Sequence, residues 1–351
     1  MYQDPLYFHR TSFAMALLES LNTGIAHAFH LSVPQRMGKT QFLLHDVMPA
    51  AQKAGFHVFY FSFEQENADF VHALNIFANA KTSGTRTFLT GITSPEELGV
   101  ASPLDTSENN QDVGETLARI AALPQATILL LDEVQKFAHI KSIDTLFNSL
   151  RAGLDAHKNK VKVIFTGTHS NAFHAMFDHS KGAFFHFSHA LDFPLLGKEF
   201  SDFLADIYHK RTQKKMDKEK LYQLFCQMHK IPLHLRLMIA DMIIDPSLSL
   251  KETSEYYLKQ SNDHAQYAFQ WQQFTALEQT LIKQLLQGKT AFYKEEIRQT
   301  IADELSLEKI SPSSIQAALS KLADKEIISK NSQGTWQIIN PAFEQWVRKI
   351  Q

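Results

Sequence analysis

The stretch from Leu31 to Leu44, LSVPQRMGKTQFLL, constrains this chain more than any other. An apolar run, Ala26 to Val33, enters it as a buried strand, and Phe42, Leu43 and Val47 recur at helical spacing as it leaves. Gly38-Lys39-Thr40 falls at the junction. Three needs of a bound phosphate meet there: a glycine that lets backbone amides close on it, a lysine for its outer oxygens, and a hydroxyl for a divalent cation. The helix behind adds the positive end of its dipole. The full pattern G-x-x-x-x-G-K-[ST] expects its first glycine at position 33, where Val33 stands before Pro34. Taken alone, the three residues also suit the cap of a surface helix, so the reading needs support from elsewhere in the chain.

That support is Ala126 to Leu131, ATILLL, which ends in Asp132-Glu133. A fully buried parallel strand delivering two carboxylates at its carboxyl end is the Walker B arrangement: Asp132 orients a Mg²⁺ shell and Glu133 polarises the attacking water. An isolated strand ending in a solvated acidic turn is common, but its coincidence with a preceding GKT is not. The next strand, Val161 to Thr166, ends in Thr166-Gly167-Thr168-His169-Ser170-Asn171. A polar side chain at this tip can sense a γ-phosphate; Thr168 is the first choice, with Ser170 or Asn171 behind it. A Gly-Thr turn without ligand contact is the competing reading.

Between these landmarks strands and helices alternate. Phe13 to Leu21 reads as a helix beside the loop, His57 to Phe63 as a buried strand followed by Glu64, and Ala68 to Ala80 as a helix. Residues 81–114 are rich in Thr, Ser, Gly, Asn and Pro and read as a long loop without an assigned role. Thr116 to Leu123 and a stripe of Ile143, Leu146, Phe147, Leu150 and Leu154 read as helices. Ala183 to Leu191 reads as a further strand and Phe200 to Ile207 as a helix. Such alternation predicts an α/β fold with a parallel sheet whose ligand site lies at the carboxyl ends of its strands.

The 351 residues suffice for two or three domains. A formal net charge of -2 gives no global basic field to advertise nucleic acid. One cysteine, Cys226, excludes an internal disulfide framework and fits a reducing cytoplasm. The N-terminal MYQDPLYFHR lacks a signal-peptide core, and no run is long enough to span a membrane, so a soluble cytoplasmic protein is expected. The histidines from His169 to His189 show no compact metal-ligand spacing.

With these residues in place, the chain resembles the P-loop ATPases of the AAA+ and STAND group, most closely the small archaeal-type ATPases found also in bacteria. The resemblance runs through VPQRMGKT, LLLDEVQ, FTGTHS, Pro194 to Phe200 (PLLGKEF), His229-Lys230-Ile231-Pro232 in place of a Gly-Gly-x-Pro turn, and Asn340 to Trp346 (NPAFEQW). The departures are Val33, the two lost glycines before Pro232, and Thr168 in place of serine. The resemblance implies ATP and Mg²⁺ as ligands, held by Pro34, Gln35, Arg36, Met37, Gly38, Lys39, Thr40 and Gln41, with the metal on Thr40 and Asp132. Catalysis falls to Lys39, Glu133 and Thr168. It further implies that Phe8 and Arg10 approach the adenine, that Pro232 sits near the nucleotide, and that Arg151 is where an arginine finger for a neighbouring subunit would originate. A solvated helix residue is the plainer reading of Arg151.

Three regions are expected: a P-loop ATPase core over 1–196, a helical lid over 197–270 and a winged-helix domain over 271–351. The lid is read from Leu221 to Met228, Leu233 to Ile244 and Lys251 to Tyr267. The last region runs helix, helix, helix, ribbon, with Ser311-Pro312-Ser313 opening the third helix. That helix offers only Gln316, Ser320 and Lys321 to a nucleic acid, so a packing or partner-docking role precedes a DNA contact. The function expected is an ATP-hydrolysing switch acting on a protein partner or on its own assembly. A DNA-associated loader and a nucleotide-binding scaffold with little turnover are the alternatives.

Overall fold

The computed structural model describes residues 4–64, 69–80, 87–90, 112–139, 143–168, 170–180, 182–261, 267, 270–331 and 334–350. The chain divides into two compact units, His9–Pro194, and Met1–Phe8 together with Leu195–Gln351. Residues 4–8 thus group with the C-terminal unit.

In the unit His9–Pro194, six strands form one sheet: β1 (Ala28–Val33), β2 (His57–Ser62), β3 (Thr87–Thr90), β4 (Thr127–Asp132), β5 (Val161–Thr168) and β6 (His189–Leu191), in the order β3-β2-β4-β5-β1-β6. Every neighbouring pair is parallel, so each return requires a crossover. Helix α1 (Thr11–Asn22) precedes β1, and the crossovers carry α2 (Lys39–Phe42), α3 (Met48–Lys53), α4 (Phe70–Asn79), α5 (Val113–Ala121), α6 (Ile143–Ala156) and α7 (Asn171–Phe177). All positions of β2, β4 and β5 are buried, as a sheet covered on both faces demands. A core of phenylalanines, among them Phe59, Phe61, Phe70, Phe77, Phe165 and Phe173, packs against the aliphatic strand residues. Register pairs Ser62 with Asp132 and Val33 with Thr168, so the central strands finish level at their carboxyl ends.

The C-terminal unit holds α8 (Lys198–Thr212), α9 (Lys218–Gln227), α10 (Pro232–Ile244) and α11 (Leu250–Ser261) around a cluster that includes Phe200, Leu204, Phe225 and Leu235. Helices Ala276–Leu286, Glu295–Glu304 and Pro312–Asp324 follow, then the antiparallel hairpin β7 (Ile328–Lys330) and β8 (Trp336–Ile338), and a last helix Pro341–Ile350. This is winged-helix order around its own core. Ser311 caps the third helix by accepting from the Ser314 N–H at 3.0 Å. No helix among the described residues is long and apolar enough to cross a membrane.

Several expectations from sequence are corrected. Ala183 to Leu191 is not one strand: only His189–Leu191 pairs in the sheet, and the preceding residues turn, with His186 at φ 55. Phe184 and Phe187, three residues apart, both bury in the core, a spacing that a turn satisfies and a strand does not. The helix after the loop is interrupted by a π-turn, Leu43–Val47. The stretch 81–114 contains the edge strand β3 and, from Val113, the start of α5; its remaining positions up to 111 lie outside the described residues. The helix expected to Tyr267 is described over Leu250–Ser261, residues 262–266 lie outside the described residues, and Tyr267 is helical.

Candidate nucleotide site

The carboxyl ends of β1, β4 and β5 bring the three distant segments together. Gly38 adopts φ 91, a left-handed conformation that suits glycine, and serves as N-cap of α2 with no side chain capping the helix. The N–H groups of a helix's first turn have no acceptor inside the helix. Here those residues, Gly38 to Gln41, line a cavity of about 280 Å³ together with Gln35, Arg36, Glu64, Glu133, Lys136 and Thr168. An uncapped helix start beside a lysine and a hydroxyl is a donor set suited to a triphosphate.

Lys39 is only 5% exposed. Its Nζ donates to the Val33 carbonyl at 3.2 Å and lies 3.3 Å from Glu133 Oε1. Thr40 Oγ1 donates to Asp132 Oδ2 at 2.6 Å, which places a hydroxyl and a carboxylate together as a Mg²⁺ site requires. Asp132 is fully buried and also accepts from the Tyr60 hydroxyl at 3.0 Å and from Thr166 Oγ1. Burial pushes its carboxyl above the ordinary range, against the pull of these donors. The Tyr60 hydroxyl is pushed up in turn, first by burial and then by the Asp132 charge, so it stays a donor.

Glu133 follows β4 at φ 55, a left-handed conformation uncommon outside glycine, which turns its carboxylate out of the strand direction. Oε2 accepts from Gln135 Nε2 at 2.5 Å and from Thr168 Oγ1 at 2.9 Å. Burial alone would raise this carboxyl; the Lys39 charge and the two donors outweigh burial and hold it below the usual range.

The departure at Val33 has a plain reading. Val33 keeps a negative φ, its side chain is buried in the core, and its carbonyl receives Lys39. Met37 likewise turns its side chain into the core and offers the loop a carbonyl. Arg10 braces that carbonyl: Nη2 donates to Met37 O at 3.1 Å, Nε to Pro194 O at 3.2 Å, and the guanidinium lies 4.4 Å from the centre of the Phe193 ring. Its own N–H donates to buried Asp46 in the π-turn at 2.9 Å. Arg36 sits exposed in the loop at φ 66.

Thr168 reaches the site, whereas Ser170 caps α7 by accepting from the Phe173 N–H and Asn171 begins that helix. Arg151 donates to the Ala183 carbonyl at 2.8 Å and pairs weakly with Asp155, so its guanidinium is engaged inside its own unit. Gln41 lines the cavity, whereas Pro34 does not and offers Lys39 a second, longer contact through its carbonyl at 3.5 Å. Phe8 packs edge-on with Phe203 and Phe200 in the other unit, and Pro232 opens α10 there. Among the described residues no cluster of His, Cys, Asp or Glu could hold a metal by itself. Sequence reasoning missed Tyr60, Thr166, Gln135 and Lys136.

No protein-family model and no curated protein sequence matches the chain. Its structure is similar to that of the Walker-type ATPase PABY2304 of Pyrococcus abyssi, with a TM-score of 0.63 at 13% identity over 97% of this chain and 96% of that one. It is also similar to the ORC2 protein of Aeropyrum pernix in its ADP form, with a TM-score of 0.57 at 14% identity over 99% and 96% of the two chains. At such identities the likeness shows the fold. The chain has the fold of a P-loop ATPase followed by helices and a C-terminal winged helix.

Proposed function

We propose that this chain binds ATP with Mg²⁺, hydrolyses it, and uses the nucleotide state to switch its conformation or its assembly with a partner in the cytoplasm. The observation that carries the reading is the convergence of Lys39, Thr40, Glu133 and Thr168 on one cavity, with Asp132 held by Thr40 behind it. Lys39 leaves Glu133 for the phosphates, and the first-turn amides of α2 take the remaining oxygens. Thr40 and Asp132 would hold the metal, which when bound would supply positive charge to the phosphates. Glu133 takes a proton from water as the water oxygen bonds to the γ-phosphorus; the bridging bond breaks and its electron pair leaves on ADP. Thr168 donates toward the γ-phosphate. Arg10 fixes the loop through the Met37 carbonyl.

The winged helix favours a protein partner over DNA, since Gln316, Ser320 and Lys321 on its exposed third-helix face carry a single cation. Titration with Mg·ATP tests the binding step: wild type binds, and Lys39→Ala loses affinity by roughly a hundredfold. Equal affinity in both overturns the reading.

A further inference from the structure

Gln135 lies two residues beyond Glu133, in the 3₁₀ turn Val134–His139, and is 2% exposed. Burying an amide is unfavourable unless both ends find partners. Its Nε2 has one, Glu133 Oε2 at 2.5 Å. Its Oε1 is buried and, among the described residues, accepts no hydrogen bond. An orphaned buried acceptor is unfavourable, so packing alone does not account for a glutamine here.

The slot it fills is made by a missing side chain. A Cβ on Gly167 would lie 2.3 Å from Gln135 Oε1 and 2.3 Å from the Phe173 ring. The backbone of Gly167 is not left-handed; glycine is needed there for space. The Gly-Thr pair on β5 therefore serves Glu133 twice, with Thr168 donating to Oε2 and Gly167 seating the amide that donates to the same oxygen.

We propose that Gln135 is the positioning residue that fixes the direction of the Glu133 carboxylate for hydrolysis, and that Gly167 seats it. The proposal rests on the reading of Glu133 as the group that polarises water. When Lys39 turns to a phosphate, Glu133 Oε1 loses its partner and becomes the acceptor for water. Thr168 lines the cavity and is open to capture by the γ-phosphate, whereas Gln135 does not line it. Gln135 is thus the donor that keeps Oε2 in place through the step.

The test is the kcat and KM of Gln135→Leu, which keeps similar bulk and removes the amide. The expected result is a kcat lower by about tenfold or more, with KM and affinity for a non-hydrolysable ATP analogue within about twofold of wild type. Placed on Glu133→Gln, the same change adds nothing. Gly167→Ala reproduces the kcat loss. Wild-type turnover in Gln135→Leu overturns the proposal, as does a parallel fall of kcat, affinity and thermal midpoint. If Gln135→Leu does not fold, Gln135→Glu, which sets a carboxylate against Glu133, carries the test with the same two outcomes. Turnover that survives Glu133→Gln overturns the underlying assignment too; turnover lost there and kept in Gln135→Leu overturns only the proposal.

Discussion

The ammonium of Lys39 lies 3.3 Å from Oε1 of Glu133, so the lysine proposed to bind phosphate is ion-paired with the residue proposed to polarise water. Both side chains are largely buried, and a pair of this kind is screened little by solvent. A nucleotide must displace one partner from the other before Lys39 can serve its phosphates.

Removing the charge of Glu133 therefore removes a competitor for Lys39. Glu133→Gln is expected to bind ADP and ATP more tightly than wild type, by roughly tenfold or about 1.4 kcal/mol. Calorimetric titration checks this, and unchanged or weaker binding contradicts it.

Tyr60 bears on the proposed metal site. Its hydroxyl donates to Asp132 Oδ2 from a fully buried position, and partners of a ligating carboxylate tune metal affinity. Tyr60→Phe keeps the ring and deletes the donor. The Mg²⁺ concentration for half-maximal turnover should rise by about tenfold, with ATP affinity at saturating Mg²⁺ unchanged. An unaltered Mg²⁺ dependence would show that Thr40 and Thr166 suffice.

Arg10 holds Met37 O, Pro194 O and the face of Phe193 at once. A residue that met only the adenine would change affinity and leave folding alone. Arg10→Ala should instead lower unfolding free energy by about 2–4 kcal/mol, because the buried Met37 carbonyl and the part-buried Pro194 carbonyl lose a charged donor, and weaken nucleotide binding through the loop. Urea unfolding without nucleotide separates the two roles; wild-type stability contradicts the brace.

His30 gives the stability of this unit a pH dependence. Its ring is buried against Phe177 at 4.5 Å and bonds Ser188 through Nδ1 at 2.8 Å. Burial lowers its pKa from the ordinary 6.5 to about 4. The unfolded chain takes up the proton first, so stability is complete above pH 6.5 and falls as pH drops toward 4, by up to about 3 kcal/mol. His30→Phe should flatten unfolding free energy over that window relative to wild type. An identical slope in both proteins contradicts the assignment.

What was legible in the sequence follows from which features are local. Gly38-Lys39-Thr40, Asp132-Glu133 and Thr168 sit at ends of apolar runs, where their roles show in a window of a few residues. Tyr60 and Thr166 were hidden because they reach Asp132 from β2 and β5 through sheet register, which no short window holds. Gln135 stood inside the LLLDEVQ segment, but its role depends on the space beside Gly167. Ala183 to Leu191 misled because its phenylalanines mimic strand composition. The lost glycines before Pro232 show the reverse case: His229 and Lys230 keep left-handed backbone at φ 57 and 53, so the turn outlasts the residues that usually mark it, at about 1 kcal/mol each.

Phosphate release from Mg·ATP by wild type and by Glu133→Gln, measured at saturating nucleotide, bears most directly on the account. Wild type should release phosphate only with Mg²⁺ present, and Glu133→Gln should bind nucleotide yet turn over on the order of a hundredfold more slowly. Equal rates in the two proteins would contradict it.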